Sequence, residues 1–510
     1  MRYFLLLFYI KESVMGKSLF KFANASVLLG MIYCMGILLC PNTLLAREGE
    51  ILGQQTPILT NEQLFLEKMV LSEYMKESHS DEKFAREYGQ YSEQYLIDLV
   101  YSLPVQFKST ITKIYAQNND ILLWNNEAER RFLHDYAALA ISGISKHIMI
   151  KLSELYQMAN RDRLTYDILL TDAFLGYLYY SKNVLKYAQK WLYSSDTYES
   201  LLPNENDIQD WLNAVRNNQS LDFILKLGSE NTLYRQTLYQ LEAIVAAKKL
   251  DINQIYKLAI NSQRLRILPN FYNGIFVNIP SYQLHYYRDG HLLINSRVIV
   301  GKPERKTPVM YSKLANVVVN PPWIPTSRLI NEDLVPKIKR DPSYVERNGY
   351  TLSDKNGKTV DPYSIDWESI TSYFPYHIRQ APGDSALGQY KFNMPSADAI
   401  YLHDTPNHNL FKKKNRALSS GCVRVEESAQ LANILLKEAG WTTNKTNEVL
   451  NTKKTVSARV FSDNPVYLYY VTAWMDNGKL YTAPDIYHYD VVPTDLNNID
   501  WNMVREYLTR

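Results

Sequence analysis

Ser419-Ser420-Gly421-Cys422-Val423-Arg424 is the stretch around which the chain is organised. It contains the one cysteine outside the N-terminal segment, since Cys34 and Cys40 both lie within the first 46 residues. A lone thiol cannot form an internal disulfide. Cys422 is therefore either a reactive nucleophile or a buried, inert side chain that packs as a small hydrophobe.

Residues 1–46 have the pattern of an export signal. Lys17 and Lys21 precede an apolar run over residues 27–40, which a polar sequence follows. The fourteen residues of this run are fewer than the roughly 20 that a membrane span requires. We expect a cleaved signal, with an uncleaved membrane anchor as the alternative. In an exported and cleaved protein Cys422 would be the remaining thiol.

The overall composition excludes several classes of partner. The 510 residues are 46% hydrophobic and 21% charged, which is typical of a globular protein. The formal net charge of +3 is too small to indicate a nucleic-acid partner, and no DNA- or RNA-reading motif accompanies it. No cluster of ligands has the spacing of a metal site. We expect no nucleic acid, no metal and no cofactor.

The periodicity of apolar residues divides the chain and predicts an α+β fold. Residues 47–261 are predicted to form a helical scaffold domain, in which Ile141, Ile144, Ile148, Leu152 and Leu155 mark one apolar helix face. Residues 262–492 show strand and hairpin patterns and are predicted to form a β-rich domain. A charged, helical insertion at about residues 326–374 is expected to be a lid over a site. Residues 493–510 are left as a C-terminal tail.

Several features around Cys422 favour thiol chemistry. A thiolate is stabilised by a nearby histidine, a cation or a helix N-terminus. His403 ends a predicted strand nineteen residues earlier, Arg424 follows two residues later, and a helix is predicted to begin near Glu426. Gly421 permits a backbone geometry that turns N–H groups toward a developing oxyanion. Together these residues predict acyl transfer to a cysteine.

Two motifs give the chain a family resemblance. Tyr401-Leu402-His403-Asp404-Thr405, followed by residues 419–424, resembles the signature of the L,D-transpeptidases with a YkuD-type catalytic domain. Several other stretches are also similar to that domain, most closely in the large periplasmic enzymes of the YcbB type: Val277-Asn278-Ile279-Pro280, Arg297-Val298-Ile299-Val300-Gly301-Lys302, Arg305-Lys306-Thr307-Pro308, Asn320-Pro321-Pro322-Trp323 and Gln380-Ala381-Pro382-Gly383. The resemblance is dense over about residues 262–490 and implies a periplasmic location.

The resemblance implies a two-step reaction on peptidoglycan stem peptides. Cys422 would attack the carbonyl of the third residue, a meso-diaminopimelate, and expel the terminal D-alanine. The side-chain amine of a second stem would resolve the thioester as a 3→3 cross-link. His403 would act as general base and acid, oriented by the backbone carbonyl of Asp404, and the N–H groups of Gly421 and Cys422 would form the oxyanion hole. Carbapenem-type compounds would be inhibitors.

Other residues have less definite roles in this comparison. Ser420, Tyr401 and Trp323 are expected to contact substrate, with Trp323 either in the core or in the cleft wall. Arg424 would hold the catalytic loop or bind a substrate carboxylate. Many family members have glycine where this chain has Asp404, which leaves open whether the backbone or the carboxylate orients His403. His408 and His377 are alternative bases outside the motif position.

Two alternative functions remain open, and one module that is usual in the related enzymes is missing from this chain. Water in place of the amine would give an L,D-carboxypeptidase or endopeptidase, and a non-catalytic wall-binding scaffold is the second alternative. The related enzymes usually carry a separate peptidoglycan-binding module between scaffold and catalytic domain. Only about twenty residues separate Leu241 from Gln263, too few for such a module. Wall affinity would then come from the cleft, the scaffold or cell-wall synthesis partners.

Overall fold

The structure is a computed structural model that describes residues 93–509 except 119–121, 195–197, 248–249, 371–372 and 491–497. The predicted export signal at residues 1–46 lies outside the described residues. None of the helices in the described part of the chain is both long and apolar enough to cross a membrane.

Helices occupy the first part of the described chain. They are α1 (Glu93–Ser102), α2 (Lys108–Gln117), α3 (Asn126–Ala140), α4 (Lys146–Met158), α5 (Arg163–Leu192), α6 (Glu205–Arg216), α7 (Ser220–Leu227), α8 (Thr232–Ala246) and α9 (Ile252–Arg266). Side chains that favour caps begin several of them. The side chain of Asn125 accepts from the amide of Ala128, and that of Asp162 accepts from Thr165. The long helix α5 is buried over most of its surface and forms the centre of this region.

The predicted apolar face at residues 141–155 is shared between a turn and a helix. Helix α4 begins at Lys146, so Ile141 and Ile144 lie in the turn that joins α3 to α4. All five predicted residues are nonetheless buried. Gly143 has a positive φ of 73° in this turn, which ends the helical path before α4 begins. The apolar spacing identified the buried side chains correctly but not the helix boundary.

Strands dominate the chain after α9. They are β1 (Gly274–Asn278), β2 (Gln283–Arg288), β3 (His291–Gly301), β4 (Met310–Lys313), β5 (Asn316–Val319), β6 (Tyr350–Ser353), β7 (His377–Gln380), β8 (Tyr390–Asn393), β9 (Leu402–His403), β10 (Ala417–Ser419), β11 (Val423–Val425), β12 (Val456–Arg459), β13 (Pro465–Tyr469), β14 (Ala473–Asp476) and β15 (Lys479–Thr482). The main sheet has the order β12-β5-β8-β9-β11-β3-β2-β1-β13-β4, with β10 paired to β3. Helices α13 (Ser428–Glu438) and α14 (Thr443–Thr452) follow β11. A helical region followed by this β-rich domain confirms the predicted α+β fold.

The insertion has a small core of its own. Helices α10 (Ser327–Leu329), α11 (Val335–Arg340) and α12 (Tyr344–Arg347) precede a two-stranded sheet of β6 and β7. Leu334, Ile338, Leu352 and Trp367 are among the side chains that pack together there, separately from the main core. At its neck the amide of Trp323 donates to the carbonyl of Gln380 at 3.1 Å, and the reverse bond measures 2.9 Å. The insertion therefore joins the domain through a narrow backbone connection.

Helix α9 runs through the predicted domain boundary at residue 262 and joins the two regions. Arg264 on this helix is fully buried, and its Nη1 lies 2.5 Å from the Asp490 carboxylate. Its Nη2 donates to the carbonyl of Tyr489 at 2.7 Å. Asn261 Nδ2 donates to the hydroxyl of Thr472 at 2.8 Å. The last scaffold helix is thus anchored in the strand domain by buried polar contacts.

Part of the predicted C-terminal tail, residues 493–510, forms a helix. Residues Trp501–Thr509 form helix α15, which packs against α3 and α8 of the helical region. Met503, Val504, Tyr507 and Leu508 are its buried residues. This i, i+1, i+4, i+5 spacing is one apolar helix face, and burying it against the helical region stabilises the helix.

Candidate active site

Strand pairing places His403 and Arg424 on one face of the sheet. Strands β9 and β11 run parallel, with Val423 opposite Leu402 and Arg424 opposite His403. Leu402 and Val423 are fully buried and face the core. Because side chains alternate along a strand, His403 and Arg424 point to the opposite face.

Tyr401 and Cys422 directly precede β9 and β11, where the amide of Val423 donates to the carbonyl of Tyr401 at 3.2 Å. The Tyr401 side chain contacts both the Cys422 thiol and the His403 ring. The Cys422 thiol is partly exposed, and its Sγ lies 3.8 Å from the Ala399 carbonyl oxygen. Burial raises the pKa of this thiol above its ordinary value. Hydrogen bonds from Tyr401 and the positive charges of nearby cations act in the opposite direction without outweighing burial. The resting cysteine is therefore a thiol.

His403 is buried and held in one orientation. Its Nδ1 lies 2.5 Å from the backbone carbonyl oxygen of Asp404. A carbonyl can only accept, so Nδ1 carries the proton and Nε2 is left as an acceptor. Burial, together with the charges of Arg424 and Lys391, lowers the pKa of His403 to about 3. The imidazole is therefore neutral and able to accept a proton at Nε2.

The carboxylate of Asp404 is turned to different partners. Its Oδ2 accepts from the amide of Gln389 at 2.8 Å, and its Oδ1 accepts from the hydroxyl of Ser428 at 2.9 Å. His408 Nε2 lies 3.5 Å from Oδ1, and the rest of that ring is exposed. The contact of Asp404 with His403 is thus made by the backbone, while its carboxylate ties the strands to the start of α13. His377, the other alternative base, lies exposed on β7 in the insertion.

Ser419 stabilises the turn that carries the thiol. Its hydroxyl donates to the carbonyl of Cys422 at 2.6 Å and accepts from the amide of Gly421 at 3.1 Å. Gly421 has φ of 124°, a conformation that side-chain-bearing residues rarely adopt. The expected oxyanion hole included the Gly421 amide, which the Ser419 hydroxyl occupies in this structure. The amide of Cys422 has no acceptor among the described residues.

Thr307 fixes the other side of the same turn. Its buried hydroxyl donates to the carbonyl of Gly421 at 2.7 Å and accepts from the amide of Gly301 at 2.8 Å. The Tyr487 hydroxyl accepts from the amide of Thr307 at 3.0 Å. Because a trans peptide unit is planar, the Cys422 N–H points away from the Gly421 carbonyl that Thr307 holds. Neither Ser419 nor Thr307 was identified from the sequence as a site residue. A hydroxyl two residues before a glycine was the available signal for Ser419.

Arg305 connects the turn to the insertion. Its Nη1 donates to the hydroxyl of Ser420 at 3.1 Å, so that predicted substrate contact already has a protein partner. Its Nη2 lies 2.8 Å from Asp333 Oδ1 and 2.7 Å from Glu332 Oε2. Both acids lie in the π-helical turn Ile330–Leu334 of the insertion. The Arg305 side chain is almost fully buried, whereas Glu332 is half exposed and Asp333 about one-third exposed, so these charge-assisted bonds lie at the edge of the buried region.

Tyr401 and Trp323 line the site on the side of the insertion. Burial raises the pKa of the Tyr401 phenol, and a hydrogen bond with Trp323 acts in the opposite direction. The Tyr401 ring meets the His403 ring edge-on at 5.6 Å between centroids. Trp323 therefore stands beside the site at the neck of the insertion. Arg424 also reaches the site, and its buried Nε has no hydrogen-bond partner among the residues that the structure describes.

The described residues contain no group of three or more His, Cys, Asp or Glu side chains suited to hold a metal ion. The chemistry that this arrangement can support is nucleophilic: a thiol and a neutral imidazole that both contact Tyr401, with a backbone amide directed away from a fixed carbonyl.

Comparisons with known proteins identify the class to which this fold and site belong. Residues 272–456 match the model of the YkuD family, the L,D-transpeptidase catalytic domain, and residues 109–241 match the Scaffold domain. A curated Haemophilus influenzae protein (strain ATCC 51907 / DSM 11121 / KW20 / Rd), provisionally named an L,D-transpeptidase, is 58% identical over 405 residues. The alignment covers 79% of this chain and 82% of that relative. The chain therefore belongs to the L,D-transpeptidase family, and its resemblance to that family is confirmed.

One solved structure resembles part of the chain. The structure of the Ldtfm-avibactam carbamoyl enzyme matches with 11% identity over 40% of this chain and 50% of that one. The chain thus spans half the length of that protein. The TM-score is 0.18, which is too low to support an argument from that structure.

Proposed function

We propose that this L,D-transpeptidase forms 3→3 cross-links in peptidoglycan through a thioester on Cys422. The observation that carries the proposal is the pairing of β9 with β11, together with Tyr401, whose side chain contacts both the His403 ring and the Cys422 thiol. The bond from His403 Nδ1 to the Asp404 carbonyl leaves Nε2 free to accept a proton. The family acts on peptidoglycan, and the stem peptide supplies both the acyl donor and the acceptor amine.

In the first half-reaction the thiol loses its proton to Nε2 of His403 as Sγ bonds to the diaminopimelate carbonyl carbon. The raised pKa of the thiol and the lowered pKa of the imidazole favour a neutral resting pair, so proton transfer accompanies the attack. The amide of Cys422 donates to the developing oxyanion. The intermediate collapses when His403 returns the proton to the D-alanine nitrogen, which leaves with the broken C–N bond.

In the second half-reaction an amine replaces the sulfur. The side-chain amine of another stem attacks the thioester carbonyl and gives a proton to His403. The C–S bond breaks, and His403 returns that proton to the sulfur. The products are a new amide and the original thiol. A β-lactam would acylate the same thiol by opening its ring, which accounts for the expected inhibition by carbapenems. The reaction would take place in the periplasm after export.

The products of purified protein and tetrapeptide muropeptides test this function. Mass spectrometry should find 3→3 dimers with the wild type, none with Cys422→Ala, and at least a hundredfold fewer with His403→Gln. His377→Gln, which changes an exposed histidine in the insertion, is the matched control and should retain dimer formation. Shortened monomers without dimers would reject transpeptidation in favour of hydrolysis. Dimers formed by Cys422→Ala would reject the thioester.

A further inference from the structure

Lys391 belongs to the same row of side chains as the candidate catalytic histidine. Strand β8 pairs with β9 on the side opposite β11, and Lys391 lies directly across from His403. Arg424 lies directly across from His403 on β11. Because directly paired residues share a sheet face, Lys391, His403 and Arg424 form one row in which two cations flank the imidazole.

Neither cation has an anionic partner in the described part of the chain. The Lys391 ammonium lies 4.1 Å from the centre of the Tyr401 ring, and this contact with a ring does not neutralise its charge. The buried Nε of Arg424 has no hydrogen-bond partner within the described ranges. The Asp404 carboxylate is occupied by Gln389 and Ser428 instead.

Two half-buried cations without a counterion are costly in free energy. Burial removes the water that would solvate each charge, and no anionic group of the described protein takes the place of that water. Burial lowers the pKa of both Lys391 and Arg424, which reflects this cost. Two other arginines in the domain have acidic partners: Arg305 bonds to acids of the insertion, and Arg297 bonds to Glu426. Lys391 and Arg424 lie at the candidate site, where a ligand can supply the missing negative charge.

We propose that Lys391 and Arg424 together bind a carboxylate of the donor stem peptide, beside the thiol. This inference rests on the proposed function, which supplies the peptide. The donor tetrapeptide carries free carboxylates on its terminal D-alanine and on diaminopimelate, both close to the bond that Cys422 would break. The Arg424 guanidinium can bind a carboxylate through two parallel N–H···O bonds, and the Lys391 ammonium can bind it as a compact positive charge.

Equilibrium binding to Cys422→Ala tests the subsite without turnover. Three probes are compared by calorimetry: the tetrapeptide, the same peptide amidated at its terminus, and the same peptide amidated on diaminopimelate. One of the two amides should weaken binding about tenfold, and the amide that does so identifies the carboxylate. If neither amide weakens binding, the proposal is overturned. This arm requires no change to Lys391 or Arg424.

A thermodynamic cycle then connects the carboxylate to the lysine. Lys391→Met in the Cys422→Ala background should weaken binding of the free-carboxylate peptide about tenfold. The same change should weaken binding of the peptide that lacks the carboxylate far less. Arg424→Met should behave in the same way. Lys437→Met removes an exposed lysine on α13 and is the matched control, expected to bind like its parent. If the loss of affinity from the lysine or arginine change and the loss from amidation were independent, so that the fold-changes multiply, the proposal would be overturned. Unaltered affinity in the Lys391 and Arg424 variants would also overturn it, because the two cations would then interact only with the Cys422 thiol.

The two proposals fail separately. A normal yield of cross-links with no coupling between Lys391 and the carboxylate would remove the subsite and leave the transpeptidase. Clear coupling in binding with no cross-linked product would remove the transpeptidase and leave a carboxylate-binding site. Thermal unfolding of each variant shows whether a loss of affinity arises from loss of the fold.

Discussion

The hydroxyl of Thr307 donates to the carbonyl of Gly421 at 2.7 Å across 114 residues of sequence. This single bond determines how the peptide unit before Cys422 is rotated, and hence where the Cys422 amide points. The same hydroxyl accepts from Gly301, so one buried side chain joins the turn to the end of β3.

Thr307→Val should therefore damage activity more than stability. Valine has nearly the same shape but leaves the Gly421 carbonyl and the Gly301 amide without a partner, which should cost about 1–3 kcal/mol of unfolding free energy. If the Cys422 amide then loses its orientation, kcat should fall roughly 100-fold. Urea unfolding and cross-linking kinetics measure the two effects. Thr307→Ser keeps the hydroxyl and should retain most activity. A valine variant with full activity would show that the turn over residues 419–422 keeps its conformation without the Thr307 hydroxyl.

The lowered pKa of His403 predicts how stability depends on pH. The unfolded chain takes up a proton on this histidine near pH 6.5, whereas the folded protein does so only near about pH 3. The histidine's contribution to stability is therefore fully present above about pH 6.5 and is lost as pH falls toward about 3. His403→Gln should show a shallower loss in urea unfolding over that window. His377→Gln should keep the wild-type slope. Parallel curves for wild type and His403→Gln would contradict this prediction.

Arg305→Met should loosen the insertion at the catalytic turn. The variant loses the bonds to Ser420, Glu332 and Asp333, while methionine keeps most of the buried aliphatic volume. Hydrogen exchange should increase in the turn Ile330–Leu334, and kcat/KM should fall roughly 10- to 100-fold as positioning is lost. Arg328→Met, at an exposed position of α10, is the control within the same insertion. Unchanged exchange in Arg305→Met would show that the neck alone positions the insertion.

A pair of glycine substitutions separates backbone strain from loss of the Asp404 network. Gly388 has φ of 63°, and an added Cβ would lie 2.3 Å from Asp404 Oδ2. Gly357 has φ of 82°, with nothing within 4 Å of the added atom. Gly357→Ala should cost roughly 1–2 kcal/mol for the backbone alone. Gly388→Ala should cost clearly more, because the carboxylate must move from Gln389 and Ser428. Equal losses in chemical unfolding would show that the network adapts freely.

The sequence contained enough information to predict the family, and it indicated His403 and Cys422 as the central residues of the candidate site. The motif residues around His403 and Cys422 are local in sequence, and apolar spacing identified the buried positions near Ile148 even where the helix boundary was misplaced. The folding of α15 could also have been recognised, because its buried residues recur at helical spacing.

The supporting residues could not be found in the same way. Thr307, Arg305 and Lys391 reach the site from separate strands and loops, and their roles depend on the order β8-β9-β11-β3. Periodicity indicates that a strand exists but not which strand it pairs with. The register that sets Lys391 beside His403 is a property of the folded sheet, and a single sequence does not display it.

The docking of α15 onto α3 and α8 links translation to folding. The helical region is synthesised before the strand domain. The surface of α3 and α8 that α15 covers nevertheless stays exposed until residues 501–509 have been translated. A nonsense mutation just before residue 501 would leave every residue of the main sheet in place. It would still destabilise α3 and α8, because they would lose the helix that covers them. Such an allele should behave genetically like a lesion in the scaffold.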